Sequence, residues 1–326
     1  MRKKLIIKKG LRQLANRSEI KKGKRKKKTL KILGSIIGIL LLAGAGYAYY
    51  VYSSVKDTVG KMHDDSEWSG SDKRDDELNL SNQDPISILI LGVDERKGDR
   101  GRSDTTIVVT VNPKTNSMYM TSIPRDTRTE IIGKGTQDKI NHAYAFGGTK
   151  MAIETVENFL DIPIDYFMKV NMESFKGIVN ALGGVTVNNE KFGFSYEGHN
   201  FPKGSLNLSG EEALAYSRMR KQDPRGDFGR NERQRQVINS IIDEGAQLSS
   251  ITKLGEILGV MGDNITTNMS FDEMKEIQSN YKGARKNVQS LEIKGRGGKI
   301  NGIYYFNVSD EEKKRISSLL KEQLEL

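Results

Sequence analysis

The stretch that decides the fold is ISILILGVD, residues 86–94, an aliphatic run that ends in glycine, valine and aspartate. Its aliphatic and β-branched residues predict a strand. Two more runs of this kind follow at residues 105–111 and 117–123, and the turn at residues 112–114 separates them. Because all three runs are apolar at neighbouring positions, we expect a central sheet that is covered on both faces.

Helical periodicity alternates with further strands along the rest of the chain. Residues 150–160 and 174–182 predict helices, and residues 166–170 predict a strand between them. Longer helices are predicted at residues 229–244 and 310–324. This alternation predicts an α/β fold with a central mixed β-sheet and helices on both faces, preceded by one N-terminal transmembrane helix.

An uncharged segment, residues 32–55, lies behind a strongly basic one. Residues 1–31 contain fifteen Lys and Arg against Glu19, so they carry +14 (15 minus 1), and the rest of the chain carries −4 (37 minus 41). About 20 apolar residues cross a bilayer, and the basic flank stays in the cytoplasm. We therefore expect residues 1–31 as a cytoplasmic tail, 32–55 as a transmembrane helix, 56–84 as an extracytoplasmic linker and 85–326 as an external domain. We expect a single-pass type II protein of the cell membrane, with the catalytic domain outside the cytoplasm.

Other interpretations of residues 1–55 are weaker. A cleaved signal peptide has a shorter apolar run and ends in a small-residue cleavage site, which is missing here. The basic tail suits anionic membrane lipid, and no helical recognition pattern accompanies it, so we expect no nucleic acid partner. The chain has no cysteine, which excludes a disulfide framework, a thiol nucleophile and a Cys-ligated metal.

Two acids stand at the ends of the first two predicted strands. Asp94 closes the first strand and Asp104 opens the second. Either one alone is more often a loop residue or a helix cap. Together, at one edge of a sheet, they can share a divalent cation. Oxygen ligands suit Mg²⁺ or Mn²⁺, whereas zinc favours His and Cys, and the chain has only three histidines.

Arginines stand at the ends of later elements. Arg125 follows the third strand, and Arg218 and Arg220 come much later. Arg230 and Gln234 are four residues apart, so on a helix they share a face. Guanidinium groups bind phosphate oxygens in a bidentate manner. Any one of these arginines could be a solvated residue or an ion-pair partner, but their repetition at element ends favours a phosphate site.

Five motifs occur in a fixed order. They are ILGVD at 90–94, RSDT at 102–105, SIPRD at 122–126, KINHAYA with a following GG at 139–148, and GRxxRQ at 229–234. In this order, and with one predicted membrane helix ahead of an external α/β domain, the chain resembles the LytR-CpsA-Psr family. The resemblance is strong over residues 85–245 and weaker after them.

The resemblance implies a Gram-positive cell-wall phosphotransferase. It would move an anionic glycopolymer, such as wall teichoic acid, from a polyprenyl pyrophosphate carrier to a sugar hydroxyl of peptidoglycan. It also implies that Asp94 and Asp104 hold Mg²⁺, and that residues 85–326 form the catalytic domain. The residues it implies for pyrophosphate binding, of which the first four are also implied to be catalytic, are Arg102, Arg125, Arg218, Arg220, Arg230 and Gln234.

Some questions stay open at this point. The family holds the polyprenyl tail in an apolar pocket, for which the candidates Phe159, Phe167, Phe175, Ile178 and Val179 all have an ordinary place in a core. The base for the acceptor hydroxyl is either a carboxylate, with Asp126 and Asp227 near the motifs, or a donor phosphate oxygen. A non-catalytic sensor of polyprenyl phosphate would not need both Asp94 and Asp104. A membrane-bound transcriptional attenuator is suggested only by the basic tail.

Overall fold

The computed structural model describes residue 38 and residues 40–74, 76–95, 101–246 and 265–326. It has two compact units, Met1–Ser54 and Val55–Leu326. In the first unit, residues 40–54 are helical. The predicted cytoplasmic tail, and residues 32–37 and 39 of the predicted transmembrane segment, lie outside the described residues. Among the helices of the described ranges, none combines the length and the apolar character that crossing a membrane requires.

The second unit is built on a six-stranded mixed sheet. Its strands are β1 (Ile86–Val93), β2 (Ser103–Asn112), β3 (Ser117–Ser122), β6 (Tyr166–Asn171), β11 (Ile265–Thr267) and β12 (Val288–Glu292). Across the sheet they lie in the order β11, β6, β1, β2, β3, β12. The pairs β1 with β6 and β3 with β12 are parallel, and the other neighbours are antiparallel. The predicted mixed sheet is confirmed.

Helices lie against both faces of this sheet. One face packs against α1 (His142–Leu160) and α6 (Asp310–Leu324), whose apolar residues join those of β1 and β2 in a closed core. The other face meets α4 (Asp227–Ala246) and α5 (Phe271–Asn280). The helices α4 and α6 begin at the predicted positions or within a few residues of them, whereas α5 was not predicted from the sequence. The helix α1 begins at His142, eight residues before the predicted start, because a short helical segment precedes Gly148, whose φ of +69° makes a kink between the two parts of the helix.

A smaller α/β layer lies beside the sheet. It contains α2 (Met172–Leu182), the pair β7 (Val185–Asn189) and β10 (Gly204–Leu208), the hairpin β8 (Phe194–Tyr196) and β9 (His199–Phe201), and α3 (Gly210–Arg218). A core of Val, Leu and aromatic residues holds these elements to α4. Ser209 caps α3 with a capping box that uses Glu212, which fixes where the helix starts.

Two further hairpins were not predicted from the sequence. One joins β4 (Arg128–Ile131) to β5 (Thr136–Lys139), and the other joins β13 (Arg296–Ile300) to β14 (Ile303–Asn307). An isolated bridge between Thr127 and Phe306 links the two hairpins at the start of β4. Both therefore lie at the edge of the sheet where β3 ends and the Arg125 loop begins.

Candidate functional site

A cavity of about 1540 Å³ lies between one face of the sheet and the helices α2, α4 and α5. Most of its wall is aliphatic. The strands and helices around the cavity all contribute apolar side chains to it. These side chains include Ile88, Ile90, Val109, Met118, Met168, Phe175, Ile178, Leu182, Ile238, Ile241, Ile265 and Ile277. The wall reaches from Thr105 to Val111 along β2, a distance of six residue steps or roughly 20 Å. The cavity can therefore hold a long apolar chain.

Charged and polar residues of the predicted site gather at one end of this cavity. Those that line it are Asp94, Asp104, Arg125, Arg218, Arg220, Arg230 and Gln234. We call this group the polar head of the cavity. Seven of the eight predicted site residues thus lie together, although they are spread over 141 positions of sequence (234 minus 94, plus one).

Strand register brings the two acids to the same edge. Gly92 of β1 pairs with Thr105 of β2, and the register shifts at the next position, where Val93 pairs with Ser103. Asp94 follows directly, and its backbone N–H donates to the carbonyl oxygen of Arg102 at 3.3 Å. The side chain of Arg102 is exposed and is the one predicted site residue that does not line the cavity.

Arg125 stands on the loop that follows β3. Its Nη1 lies 3.0 Å from Asp104 Oδ1, and its Nε lies 3.9 Å from Asp126 Oδ2. Burial opposes the charged form of this guanidinium, but Asp104, Asp227 and Asp126 outweigh burial and raise the pKa of Arg125. The arginine is therefore held as a cation between acids at the polar head.

The motif at residues 139–142 fixes the Arg125 loop. Lys139 Nζ donates to Asp126 Oδ1 at 2.7 Å. The backbone N–H of Ile140 donates to the carbonyl oxygen of Thr127 at 2.8 Å, and that of Asn141 donates to the carbonyl oxygen of Arg125 at 3.4 Å. This motif therefore positions the loop rather than lining the cavity, and Asp126 is already bound by a lysine.

The first turn of α4 supplies the most deeply buried cation of the polar head. Arg230 is 6% exposed, and its Nη2 lies 3.0 Å from Asp227 Oδ1. Within the described residues, its Nε and Nη2 have no hydrogen bond of suitable geometry. Burial lowers the pKa of Arg230 although Asp227 opposes this effect, and Arg125 lowers it further. A buried guanidinium with unsatisfied N–H groups is a ready partner for an anion.

Two residues of the GRxxRQ motif hold this turn in place. Arg233 is buried and donates from Nη1 to Asp223 Oδ2 at 2.6 Å and from Nε to the carbonyl oxygen of Tyr216 at 3.1 Å. Asp223 in turn packs so closely on Gly229 that a Cβ at that position would collide with its carboxylate. The glycine and the second arginine thus have a structural purpose, which is to place Arg230 and Gln234 at the cavity.

The remaining arginines of the polar head have acidic partners at its rim. Arg220 Nε lies 3.3 Å from Asp227 Oδ1, so Asp227 is shared by Arg220 and Arg230. Arg218 Nη1 lies 3.3 Å from Glu197 Oε1, at the turn of the β8–β9 hairpin. Glu197 and the neighbouring cavity residue Lys221 were not predicted, because neither belongs to a motif.

The five apolar candidates divide between the cavity and the core. Phe175 and Ile178 line the cavity. Phe159 and Phe167 lie in the closed core on the opposite face of the sheet, and Val179 lies in the core of the smaller layer. The α4 residues Ile238, Ile241 and Ile242 were missed, although their spacing of three and four marks one face of a helix.

The donor set at the polar head suits a magnesium ion that is shared with a substrate. Among the described residues, no group of three or more His, Cys, Asp or Glu side chains could enclose a metal ion. Asp94 and Asp104 offer hard oxygen ligands at neighbouring strand ends. Mg²⁺ commonly binds one or two carboxylates and completes its shell with water and substrate phosphates. The two acids therefore fit Mg²⁺ only together with a phosphate-bearing ligand.

Comparison with known proteins assigns the family. The model of the LytR_cpsA_psr family matches residues 49–322. The chain belongs to the LytR-CpsA-Psr family. Over 303 residues, 93% of this chain and 98% of the relative, it is 57% identical to the polyisoprenyl-teichoic acid–peptidoglycan teichoic acid transferase TagU of Bacillus subtilis. With several relatives of 55–57% identity named as transferases, this member of the family is an enzyme of the transferase class.

Solved structures agree with the fold. The crystal structure of B. subtilis TagU matches with a TM-score of 0.61 at 56% identity, over 74% of this chain and 98% of that one. A structure of TagT bound to LI-WTA matches with a TM-score of 0.68 at 33% identity, over 79% and 97%. A structure from Enterococcus faecalis described as a transcriptional regulator matches with a TM-score of 0.70 at 40% identity, over 77% and 91%.

Proposed function

We propose that this transferase moves an anionic glycopolymer, such as wall teichoic acid, from a polyprenyl pyrophosphate carrier to a sugar hydroxyl of peptidoglycan. The observation that carries the proposal is the two-part character of the cavity. An aliphatic wall runs along the sheet, and cations and acids meet at one end. A polyprenyl pyrophosphate has the same two parts, an apolar chain and a charged head. The names of the relatives TagU and TagT support this substrate.

The arginines of the polar head bind the diphosphate. Arg230 offers unsatisfied N–H groups from a buried position, and Arg125 and Arg220 reach the head from the β3 loop and the α3–α4 connection. Charge-assisted hydrogen bonds of this kind are stronger in a water-poor site than in solution. They neutralise charge that grows on the leaving phosphate, so they stabilise the transition state more than the bound donor.

The transfer itself is a substitution at phosphorus. The acceptor hydroxyl oxygen forms a bond to the phosphorus that carries the glycopolymer, and the bond from that phosphorus to the bridging oxygen breaks. Polyprenyl monophosphate leaves with the bridging oxygen. The hydroxyl proton passes to a donor phosphate oxygen, because Asp126 and Asp227 are already engaged by Lys139, Arg220 and Arg230.

Asp94 and Asp104 hold Mg²⁺ in this proposal. A Mg²⁺ ion held by these two acids together with the donor would supply Lewis-acid neutralisation of the diphosphate charge. Asp104 also contacts Arg125 at 3.0 Å, so the acid connects the proposed metal site to the arginine group. Arg102 is placed beside Asp94 by its backbone, and its exposed side chain can approach the outer part of the diphosphate.

The domain arrangement belongs to the same proposal. Residues 1–31 remain in the cytoplasm, residues 32–55 cross the membrane, residues 56–84 form a linker, and residues 85–326 act outside. The charge difference of +14 against −4 supports this orientation. A polyprenyl carrier is a membrane lipid, so a membrane anchor keeps the enzyme near its donor.

The test is a transfer assay with the full-length protein in detergent, a synthetic polyprenyl pyrophosphate glycan and peptidoglycan oligomers. We expect Mg²⁺-dependent release of polyprenyl monophosphate and glycan-modified oligomers. Asp94→Ala and Asp104→Ala should each abolish transfer while the protein stays folded. Arg125→Lys and Arg220→Lys keep a cation but lose the bidentate contact, so turnover should fall more than donor affinity does.

Each alternative predicts a different result. A sensor or a regulator would bind the polyprenyl lipid but would show no turnover with any acceptor. Full activity in EDTA, or in either aspartate variant, would remove the metal from the proposal. A variant at Arg315 serves as a matched control. The guanidinium of Arg315 pairs with Glu312 on α6, so its removal takes away a cation without changing the polar head.

A further inference from the structure

The β13–β14 hairpin carries a surface that the donor site does not use. Its two-residue turn, Asn301 and Gly302, has φ +50° and +81°, the left-handed pair that a tight hairpin requires. Ile300 pairs with Ile303 at the tip, and Arg296 pairs with Asn307 at the base. Backbone pairing along the whole length makes this a defined projection from the domain.

Aromatic rings lie across glycines on one face of the hairpin. A Cβ on Gly297 would stand 2.5 Å from the hydroxyl oxygen of Tyr304, and a Cβ on Gly295 would stand 2.5 Å from Cζ of Phe306. The rings therefore occupy the space that side chains at these positions would need. Tyr304 is 42% exposed, so one side of its ring faces solvent while the other side contacts Gly297.

This face continues toward the polar head of the cavity. The ring of Phe306 meets that of Phe228 edge to face, with centroids 5.6 Å apart. Phe228 directly follows Asp227, the carboxylate that Arg220 and Arg230 share. The backbone N–H of Phe306 also donates to the carbonyl oxygen of Asp126 at 2.8 Å. The hairpin is thus attached both to the Arg125 loop and to the first turn of α4, which carries Arg230.

The charge of the hairpin is of one sign. Residues 293–309 contain Lys294, Arg296 and Lys299 and no acid. Lys299 pairs with Tyr304, so the two side chains lie on the same face of the hairpin. Lys299 and the exposed ring of Tyr304 therefore form the outer part of a strip, and the buried ring of Phe306 and the half-buried ring of Phe228 continue it inward toward the arginines of the polar head. We call it the aromatic strip.

We propose that the aromatic strip binds the acceptor, a glycan strand of peptidoglycan, and delivers its hydroxyl to the polar head. The inference rests on the proposed function. The exposed ring of Tyr304, which packs against Gly297, suits the apolar face of a sugar, and Lys299 suits a carboxylate of the attached peptide. The anionic polymer of the donor is the weaker candidate, because a polymer with a phosphate group in every repeat needs several cations and this face offers one lysine beside aromatic rings.

The first experiment measures binding without any reaction. The full-length protein in detergent is sedimented with peptidoglycan from which teichoic acid has been removed, and free teichoic acid is added as a competitor. We expect Tyr304→Phe to bind like wild type and Tyr304→Leu to bind about three- to tenfold more weakly, since an aromatic contact is lost. Ile303→Ala is the matched control, because it removes an exposed residue from the opposite face of the same strand.

The second experiment measures kinetics. Tyr304→Leu should raise the KM for the peptidoglycan oligomer about three- to tenfold and leave the Kd for the polyprenyl pyrophosphate donor unchanged. Equal acceptor KM in Tyr304→Leu and wild type overturns the inference, and so does competition by free teichoic acid for the strip. If wild type binds peptidoglycan through Tyr304 but transfers nothing, the proposed function fails while the glycan-binding strip stands.

Discussion

Leu89, Leu91 and Val93 of β1 lie on the face of the sheet that packs against α1 and α6, and they are almost completely buried. Ile88 and Ile90 alternate with them, lie on the opposite face and line the cavity, where they are only partly buried. The same strand thus places aliphatic side chains on both faces of the sheet. The two faces differ because helices close on one face and leave a long space over the other.

That difference separates stability from binding. Apolar surface that is left uncovered forgoes about 25 cal/mol for each Å². On the closed face this contribution stabilises the fold by itself. On the cavity face the same apolar surface is free to contact a ligand with an apolar chain. The unsatisfied N–H groups of Arg230 lie at the polar head of the same cavity. Four predictions test whether the two faces differ in this way.

The largest effect is expected on the closed face. Leu91→Ala should reduce the free energy of unfolding by about 2–5 kcal/mol, because it leaves a void among well-packed neighbours. Ile90→Ala, one residue earlier on the cavity face, should cost clearly less, since part of its side chain has no protein neighbour to lose. Urea unfolding of both variants checks this. Equal losses would mean that the cavity face is a closed core as well.

Arg230→Met should separate binding from folding at the head of the cavity. Removing the buried guanidinium should weaken binding of a polyprenyl pyrophosphate about ten- to a hundredfold, the range for a charge-assisted hydrogen bond. The free protein should keep a Tm close to that of wild type, because an apolar side chain of similar length replaces a buried cation with unsatisfied N–H groups, and Asp227, which loses the ion pair with Arg230, keeps its ion pair with Arg220. Calorimetric titration and thermal unfolding measure the two effects, and a marked fall in Tm would show that Arg230 serves the fold.

Filling the open face should block the ligand without unfolding the protein. Ile90→Trp adds a large side chain to a space of about 1540 Å³, so we expect a modest change in stability and about tenfold weaker binding of the polyprenyl chain. Leu91→Trp is the matched change on the closed face and should fail to fold normally. Undiminished lipid binding by a folded Ile90→Trp protein would place the chain elsewhere.

The smallest effect concerns a carboxyl on the closed face. Burial raises the pKa of Glu157 above its ordinary 4.5, although hydrogen bonds from Ser71 and from the backbone N–H of Ile164 oppose the shift. A raised pKa in the fold means that this group favours folding while protonated, and that the contribution is lost as pH rises from 4.5 through the folded pKa. Glu157→Gln should therefore raise Tm slightly at about pH 8 and leave it unchanged near pH 4. A Tm difference that is the same at both pH values would contradict this assignment.

Much of the sheet could be predicted from the sequence, because long aliphatic runs such as residues 86–94 have few alternatives to a buried strand. The hairpins β4–β5 and β13–β14 were missed, since their strands are short, polar or rich in glycine. Seven of the eight predicted site residues meet at the polar head, and Arg102 stands apart with an exposed side chain. Their roles in metal and phosphate binding stay predictions.

The sequence by itself determined the family and the four central strands of the sheet, and it named seven of the residues that meet at the polar head, because motifs and periodicity are local properties of the chain. Only the tertiary structure decided which aliphatic residues form a core and which form a cavity. Phe167 on β6 and Phe175 on α2 carry the same side chain, yet the first is buried in the closed core and the second lines the cavity. That packing depends on contacts between different elements of the fold, such as Arg233 with Asp223 or Phe306 with Phe228. The distance between a helix and the sheet therefore cannot be predicted from a local sequence pattern.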